Sequence, residues 1–245
     1  MLKIFKNRSP RKTDFSWLKA DIHNHILPGL DDGARDMEES LAMIRGLKEL
    51  GFEKLYATPH IMQDHYPNTP EIILQRLSEV KGAVKDAAID IEIEAAAEYL
   101  MDEYFESKIQ EGNLLTFPGK KVLIEMSFLE APRRLNEYLF QLQTLGYKPI
   151  LAHPERYSFL ANDPQQYAGL KERGCLFQVN LLSLAGAYGK NVRKIGIKLL
   201  QKKHVEYLGS DLHTKGHVPI LKKNIQNRIF KRMFGLRALY RNANL

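Results

Sequence analysis

Histidines and carboxylates recur along this chain in short clusters whose spacing suits divalent metal ions. In Asp21-Ile22-His23-Asn24-His25 the two imidazoles are two residues apart, which in an extended segment puts both on one side and within reach of one ion. Thr58-Pro59-His60, Ala97-Glu98, Ile124-Glu125, Ala152-His153-Pro154-Glu155-Arg156 and Ser210-Asp211-Leu212-His213 each follow a short apolar run. Five of the eight histidines fall in these clusters and acids accompany them, a concentration that chance explains poorly. A mixed imidazole and carboxylate set suits Mn²⁺, Fe²⁺ or Zn²⁺, and the absence of thiolates argues against a purely structural zinc site. So many donors predict two or three ions rather than one. Ions a few ångströms apart can share a bridging hydroxide nucleophile and bind phosphoryl oxygens, so phosphoester hydrolysis is the expected chemistry. Arg156, three residues beyond His153, either clamps phosphate with its paired donors or pairs with Glu155 at the surface. Asp31-Asp32-Gly33 reads either as a turn ahead of a helix or, through Asp32, as a further carboxylate ligand.

Other catalytic plans fail against the same text. A cysteine phosphatase needs an arginine six residues after its nucleophile, and that position after Cys175 is Leu181. Neither a Gly-x-x-x-x-Gly-Lys-Ser/Thr loop, nor a Gly-x-Ser-x-Gly elbow, nor a His-Glu-x-x-His helix is present.

Something must bring these clusters together, and the apolar runs ahead of them are the means. Residues 18–22, 54–57, 89–93, 122–125, 149–152, 176–179 and 205–208 read as strands, alternating with helical patterns at 37–50, 70–87, 101–112, 133–145, 164–173 and 189–202. Leu41, Ile44, Leu47 and Leu50 form one stripe closed by Gly51, and Thr69 and Asp163 stand as N-caps before prolines. This α/β alternation predicts a parallel sheet wrapped by helices, either a barrel related to the TIM fold or a doubly wound open sheet. Six of the seven strands would end in a metal-capable residue, the C-terminal face where barrel active sites lie.

The chain of 245 residues fits one barrel domain, taken as residues 18–245 behind a basic extension at 1–17. That extension has no apolar core before a cleavage site, no apolar run is long enough to span a membrane, and Cys175 is the only cysteine, so a cytoplasmic protein without disulfides is expected. The net charge of +7 is concentrated near the two ends with no accompanying nucleic-acid motif, so no nucleic-acid partner is expected. Residues 219–239 read as one basic amphipathic helix, with Ile225, Ile229, Met233 and Leu236 on one face; it either docks on the barrel or makes peripheral contact with an anionic membrane. Homo-oligomerisation is left open.

In order, His23-x-His25, Asp31-Asp32-Gly33, Thr58-Pro59-His60, Glu98, Glu125, the segment from Ala152 to Arg156 and Gly209-Ser210-Asp211-Leu212-His213 resemble the polymerase and histidinol phosphatase (PHP) superfamily. They look most like its bacterial protein-tyrosine phosphatases from capsule and exopolysaccharide loci. The resemblance runs over roughly residues 21–217, and the ordered set is specific though each piece is short. It implies a distorted TIM-like (β/α)7 barrel, three divalent ions, commonly Mn²⁺, and dephosphorylation of tyrosines on the tail of a membrane tyrosine kinase for polysaccharide assembly. Carried over by position, His23, His25, Glu98 and Asp211 surround one ion, Glu98, Glu125 and His153 serve ions nearby, and Asp32, His60 and His213 complete the cluster. Arg156 and Asp211 are then the expected catalytic residues. Relatives often carry a second phosphate-binding arginine after the Ser-Asp-x-His segment; here Lys215-Gly216-His217 stands there, so Lys215 or His217 takes that role. Histidinol phosphate is the alternative substrate within the superfamily, and a binding scaffold with a relict metal site or an exonuclease accessory domain are the alternatives outside it.

Overall fold

A computed structural model describes residues 14–163 and 165–245. In chain order it contains β1 (Ala20–Asp21), α1 (Met37–Glu49), β2 (Lys54–Ala57), β3 (His60–Ile61), α2 (Pro70–Asp86), β4 (Glu92–Ala95), β5 (Glu98–Leu100), α3 (Glu103–Glu111), β6 (Lys121–Glu125), α4 (Leu135–Thr144), β7 (Lys148–Ala152), α5 (Ser158–Asn162), α6 (Gln165–Glu172), β8 (Leu176–Asn180), α7 (Leu181–Ala185), α8 (Gly189–Gln201), β9 (Tyr207–Gly209), α9 (His217–Asn224) and α10 (Arg228–Gly235). Side chains close the helix starts where the sequence offers them: Asp36, Thr69 and Asp102 each accept a backbone N–H of the first turn of α1, α2 and α3.

Every strand pair is parallel, in the orders β1-β2-β4 and β3-β5-β6-β7-β8-β9. The division between the sheets is local. Pro59, which has no N–H for a ladder, separates β2 from β3, and Ala96 and Ala97 separate β4 from β5. Ala96 N–H still donates to Ala57 O (2.9 Å) and Glu98 N–H to Pro59 O (3.1 Å), so each pair is one interrupted stave and seven staves result. The break sets the register that brings His60 opposite Glu98.

The first and last staves meet with few ladder bonds. Asp211 N–H donates to His23 O (2.7 Å) and His25 N–H to Leu212 O (3.0 Å). Side chains supply the remainder. Ser210 donates to Asp21 through its N–H (2.8 Å) and its hydroxyl (2.6 Å), and Asn242 donates to Ala20 O (2.9 Å) and Leu208 O (2.6 Å) while accepting Leu208 N–H (3.1 Å). The result is the distorted seven-stave β/α barrel expected from the sequence.

Alternation of side chains along the strands separates two cores. Ile22, Tyr56, Ala96, Leu123, Ile150, Ala152 and Tyr207 pack together, while Leu55, Ile93, Val122, Ile124, Leu151, Phe177 and Val179 pack with the helices. On β6 and β8 the same alternation carries Glu125, Gln178 and Asn180 to the upper end of the barrel, where they are buried.

Four expectations need correction. Residues 16–18 form a 3-10 turn and Lys19 takes a positive φ of 66°, so β1 starts at Ala20 rather than at residue 18. The strand expected at 89–93 starts at Glu92, because Ile89 N–H closes the end of α2 on Val84 O. The helix expected over 219–239 is interrupted: α9 ends at Asn224, and the Asn227 side chain accepts the N–H groups of Ile229 and Phe230 to start α10. Both helices dock on the barrel through Leu221, Ile225, Phe230 and Met233. Finally, Phe15 belongs to the core and not to the basic extension, since its ring lies 5.5 Å from both Phe52 and Phe230; residues 1–13 of that extension lie outside the described residues. No helix among the described residues is long and apolar enough to cross a membrane.

Asn242→Ala should lower unfolding free energy by about 2–4 kcal/mol, because it leaves buried backbone groups of Ala20 and Leu208 without partners. A shifted urea midpoint at constant slope would show this, and an unchanged midpoint would mean that the Asp21–Ser210 pair holds the seam by itself.

Candidate metal centre

The upper end of the barrel gathers every metal ligand expected from the sequence into four overlapping donor sets: His25, Asp32, His60 and His213; His23, Glu98 and His153; His23, His25 and Asp211; and His60, Glu98 and Glu125. Within each set the donor atoms lie within 4.8 Å of one another. The grouping differs in detail from the one expected. Glu98 stands 3.0 Å from His23 Nε2 and 3.5 Å from His25 Nε2, but the set that gathers His23 and His25 is completed by Asp211, and His153 joins Glu98 and His23 rather than Glu125.

Hydrogen bonds from below fix the imidazoles. Gln178 Nε2 donates to Asn180 Oδ1 (2.8 Å) and Asn180 Nδ2 donates to Asp211 Oδ2 (2.5 Å), which orients both amides. Gln178 Oε1 therefore faces His23, whose Nδ1–H donates to it (2.8 Å) and whose Nε2 is left to the cluster. Asp31 does the same for His25, accepting Nδ1–H at 2.7 Å. The freed Nε2 atoms of His23 and His25 face each other at 3.3 Å, two lone pairs that need a cation beside them. His60 Nδ1 and Glu125 Oε1 lie 2.9 Å apart, yet both are buried without a hydrogen-bond partner, as is His153 Nδ1. Donor atoms this close together and short of hydrogen-bond partners fit divalent ions, and the residue types are those that bind them.

Charge explains the same point. Burial alone would lower His23, but Glu98 and Asp211 beside it win and lift its pKa to about 10. His60 is likewise lifted to about 10 by Glu125 and Glu98, and His213 to about 9 by Asp211 and Asp32. Glu98 and Asp211 are buried, which opposes ionisation, yet the imidazoles hold both well below the usual carboxylate range. Backbone strain contributes as well: His153 and Asp211 take positive φ of 35° and 55°, a region that costs non-glycine residues on the order of 1–3 kcal/mol.

Above the donors lies a cleft of about 340 Å³ whose lining includes Met62, Tyr66, Phe128, Arg156, Tyr188 and His217. The Arg156 guanidinium is held between the rings of Phe128 (4.5 Å) and Tyr188 (4.4 Å) and donates from Nη1 to Asp211 Oδ2 (3.0 Å). It thus faces the cleft and is not spent on Glu155, which is buried and accepts Asn180 N–H. His217 Nδ1 accepts His213 N–H (3.3 Å), and burial together with nearby His213 lowers its pKa. Lys215 is not brought to the site: it is exposed, outside the cleft lining, and its charge acts on Glu39.

Several residues escaped the sequence reading. Asp31 was passed over for Asp32, although both matter: Asp32 faces His60 and His213, and buried Asp31 orients His25 while accepting the N–H groups of Gly33 and His60. Gly33 is obligatory in that turn, since a Cβ there would fall 2.2 Å from His25 O. Gln178 and Asn180 had a signal, two amides two residues apart at the end of an otherwise apolar strand. Phe128 and Tyr188 had none.

Fold and site together define a β/α barrel whose upper end gathers imidazole and carboxylate donors able to hold divalent metal beneath an open cleft. The chain belongs to the capsular polysaccharide synthesis CpsB/CapC family, whose model matches residues 19–240. It is 31% identical over 194 residues to the tyrosine-protein phosphatase YwqE of Bacillus subtilis, covering 79% of this chain and 76% of that one. The putative tyrosine-protein phosphatase CapC of Staphylococcus aureus is 28% identical over 208 residues, covering 84% and 82%. Among solved structures, one from work on YwqE of Bacillus subtilis and CpsB of Streptococcus pneumoniae, described as unique metal-dependent tyrosine phosphatases, superposes with a TM-score of 0.76 at 27% identity, over 90% of this chain and 93% of that one.

Removal of metal should expose the charge imbalance as pH dependence. Raised imidazole pKa values stabilise the metal-free fold below about pH 6.5, and that stabilisation is lost as pH rises through 9 to 10, where His213, His23 and His60 release their protons. Metal competes with those protons, so the rise in Tm on adding Mn²⁺ to chelator-stripped protein should grow between pH 6 and 9. A rise independent of pH would show that the imidazoles carry no extra protons when metal is absent.

Proposed function

We propose that this chain is a metal-dependent protein-tyrosine phosphatase, acting without a cysteine nucleophile. The observation that carries the reading is the position of Arg156, fixed beside Asp211 directly above the shared donor sets. His23, His25, Asp32, His60, Glu98, Glu125, His153, Asp211 and His213 would hold the ions, which would supply Lewis acidity toward phosphoryl oxygens and an activated water.

The protein's own groups do the remainder. Phe128 and Tyr188 hold the Arg156 plane, so its N–H groups not engaged by Asp211 meet phosphate oxygens with little rotamer entropy left to lose. His217 supplies a second contact in place of Lys215. Its Nδ1 already accepts a hydrogen bond and its depressed pKa keeps it neutral, so its proton sits on Nε2 as a single donor. Met62, Tyr66, Phe128 and Tyr188 give the cleft apolar walls that suit a phenyl ring better than the ammonium and polar imidazole of histidinol phosphate. A phenolate, with pKa about 10, also leaves with little help from an acid. Cys175 takes no part: it is buried and its thiol is pushed up to about 12.

Three ions, Mn²⁺ as the metal, a cytoplasmic location and the tyrosine-rich tail of a membrane tyrosine kinase as substrate complete the proposal. Residue sharing among four sets supports several ions, the mix of carboxylates with imidazoles is compatible with Mn²⁺ as well as Fe²⁺ or Zn²⁺, and the family's link to capsular polysaccharide synthesis supports that substrate.

Chelator-stripped protein reloaded with Mn²⁺ should release phosphate from a phosphotyrosine peptide, and His153→Ala treated alike should not. Turnover of histidinol phosphate alone, under the same conditions, would defeat the tyrosine reading. Arg156→Ala should lower kcat/KM by about 10²–10³-fold while leaving metal content unchanged. Loss of metal in that variant would instead assign Arg156 a purely structural role.

A further inference from the structure

Unpaired positive charge lines an apolar trough that is distinct from the metal cleft. From residue 181 to the last, 245, Glu206 and Asp211 are the only acids; Glu206 is paired with Lys171 and Asp211 belongs to the metal centre. Lys and Arg residues populate the rest, and α8 and α10 carry many of them. Between these helices runs a trough of about 670 Å³, with Ile197, Leu200, Ile229, Met233, Leu236 and Tyr240 among its lining. Lys203, Arg228, Lys231 and Arg232 stand exposed along it, and among the described residues none has an ion-pair partner. No residue lines both the trough and the metal cleft.

The pattern follows from how α10 is used. Phe230 and Met233 turn into the barrel core, next to Phe15, which fixes the helix. Ile229 and Leu236 are then left half-exposed toward α8, facing Ile197 and Leu200, with Arg228 and Arg232 on the same stretch.

We propose that this trough docks an acidic amphipathic segment of a protein partner. An apolar stripe at helical spacing would bury the floor, and carboxylates flanking it would meet the four unpaired cations. Both halves of the feature are needed to choose the partner. A polynucleotide would satisfy the cations and leave the apolar floor in water. A flat bilayer would meet the cations but could not enter a concave trough between two helices. Because the metal cleft shares no lining residue with it, a partner held here leaves that cleft open.

The test uses the full, metal-loaded chain and a fluorescein-labelled synthetic 18-residue peptide with leucines at helical spacing and glutamates beside them. Its controls are the same peptide with lysine for glutamate, the same peptide with serine for leucine, and phosphatidylglycerol vesicles. The acidic amphipathic peptide should bind in the micromolar range by anisotropy, and neither control peptide should match it. Arg228→Glu with Arg232→Glu should weaken binding at least tenfold, as should Leu236→Ser, while Lys190→Glu, an exposed cation outside the trough, should change nothing. Circular dichroism melts of each variant separate lost binding from lost fold. Equal affinity for the serine peptide, undiminished binding by both trough variants, binding to vesicles alone, or no binding by any probe would each overturn the proposal.

Discussion

Glu98 is the constraint around which the molecule is arranged. A fully buried carboxylate is expensive unless positive charge surrounds it, and His23, His60 and His153 all approach it within 3.3 Å. Those three imidazoles come from the first, second and fifth staves, so the charge of Glu98 can be satisfied only if the barrel brings separate parts of the chain to one point. Stability and chemistry are in conflict there. Protons on the imidazoles could balance the carboxylates, but ions balance them better, and the strained backbone at His153 and Asp211 is tolerated in exchange for aim.

Below the donors, a layer of polar groups transmits rigidity upward. Gln178 and Asn180 carry no charge and Asp31 carries one, yet each determines which nitrogen or oxygen of a neighbouring donor residue is free. The Asn180 contact with Asp211 also joins the metal layer to the Arg156 clamp, since both meet at Oδ2 of that carboxylate. A change at β8 should therefore be felt at the phosphate contact through two hydrogen bonds.

The sequence disclosed the candidate metal donors that the fold brings together better than the residues that support them, and the reason is physical. Metal ligands are limited to a few residue types at strand ends, so His23, His60, Glu98, His153 and Asp211 stand out against apolar neighbours. The alternation of strand and helix similarly exposed the barrel, with strand starts displaced by local turns such as the one at Lys19. Supports have no such signature. Phe128 and Tyr188 are ordinary aromatics until folding places them on either face of a guanidinium, and Asn242 resembles any other surface asparagine until it reaches Ala20 and Leu208. The choice between Lys215 and His217 likewise turned on which of two neighbours faces inward, something spacing along an irregular turn does not reveal. Asn227 misled in the other direction, as a residue compatible with a helix interior that the fold uses to begin a new one.

The seam between the first and last staves joins Asp21 to Ser210, 189 residues apart in sequence. Contacts of that separation close late, because loop entropy must be overcome before they contribute anything. The donors from these two staves, His23 and His25 with Asp211 and His213, therefore come together only when nearly all of the barrel exists. A growing or half-collapsed chain can already gather His60, Glu98 and Glu125 from neighbouring staves, whereas the set of His23, His25 and Asp211 is complete only once the barrel has closed on itself, so the donor sets of one site ripen at different stages of folding.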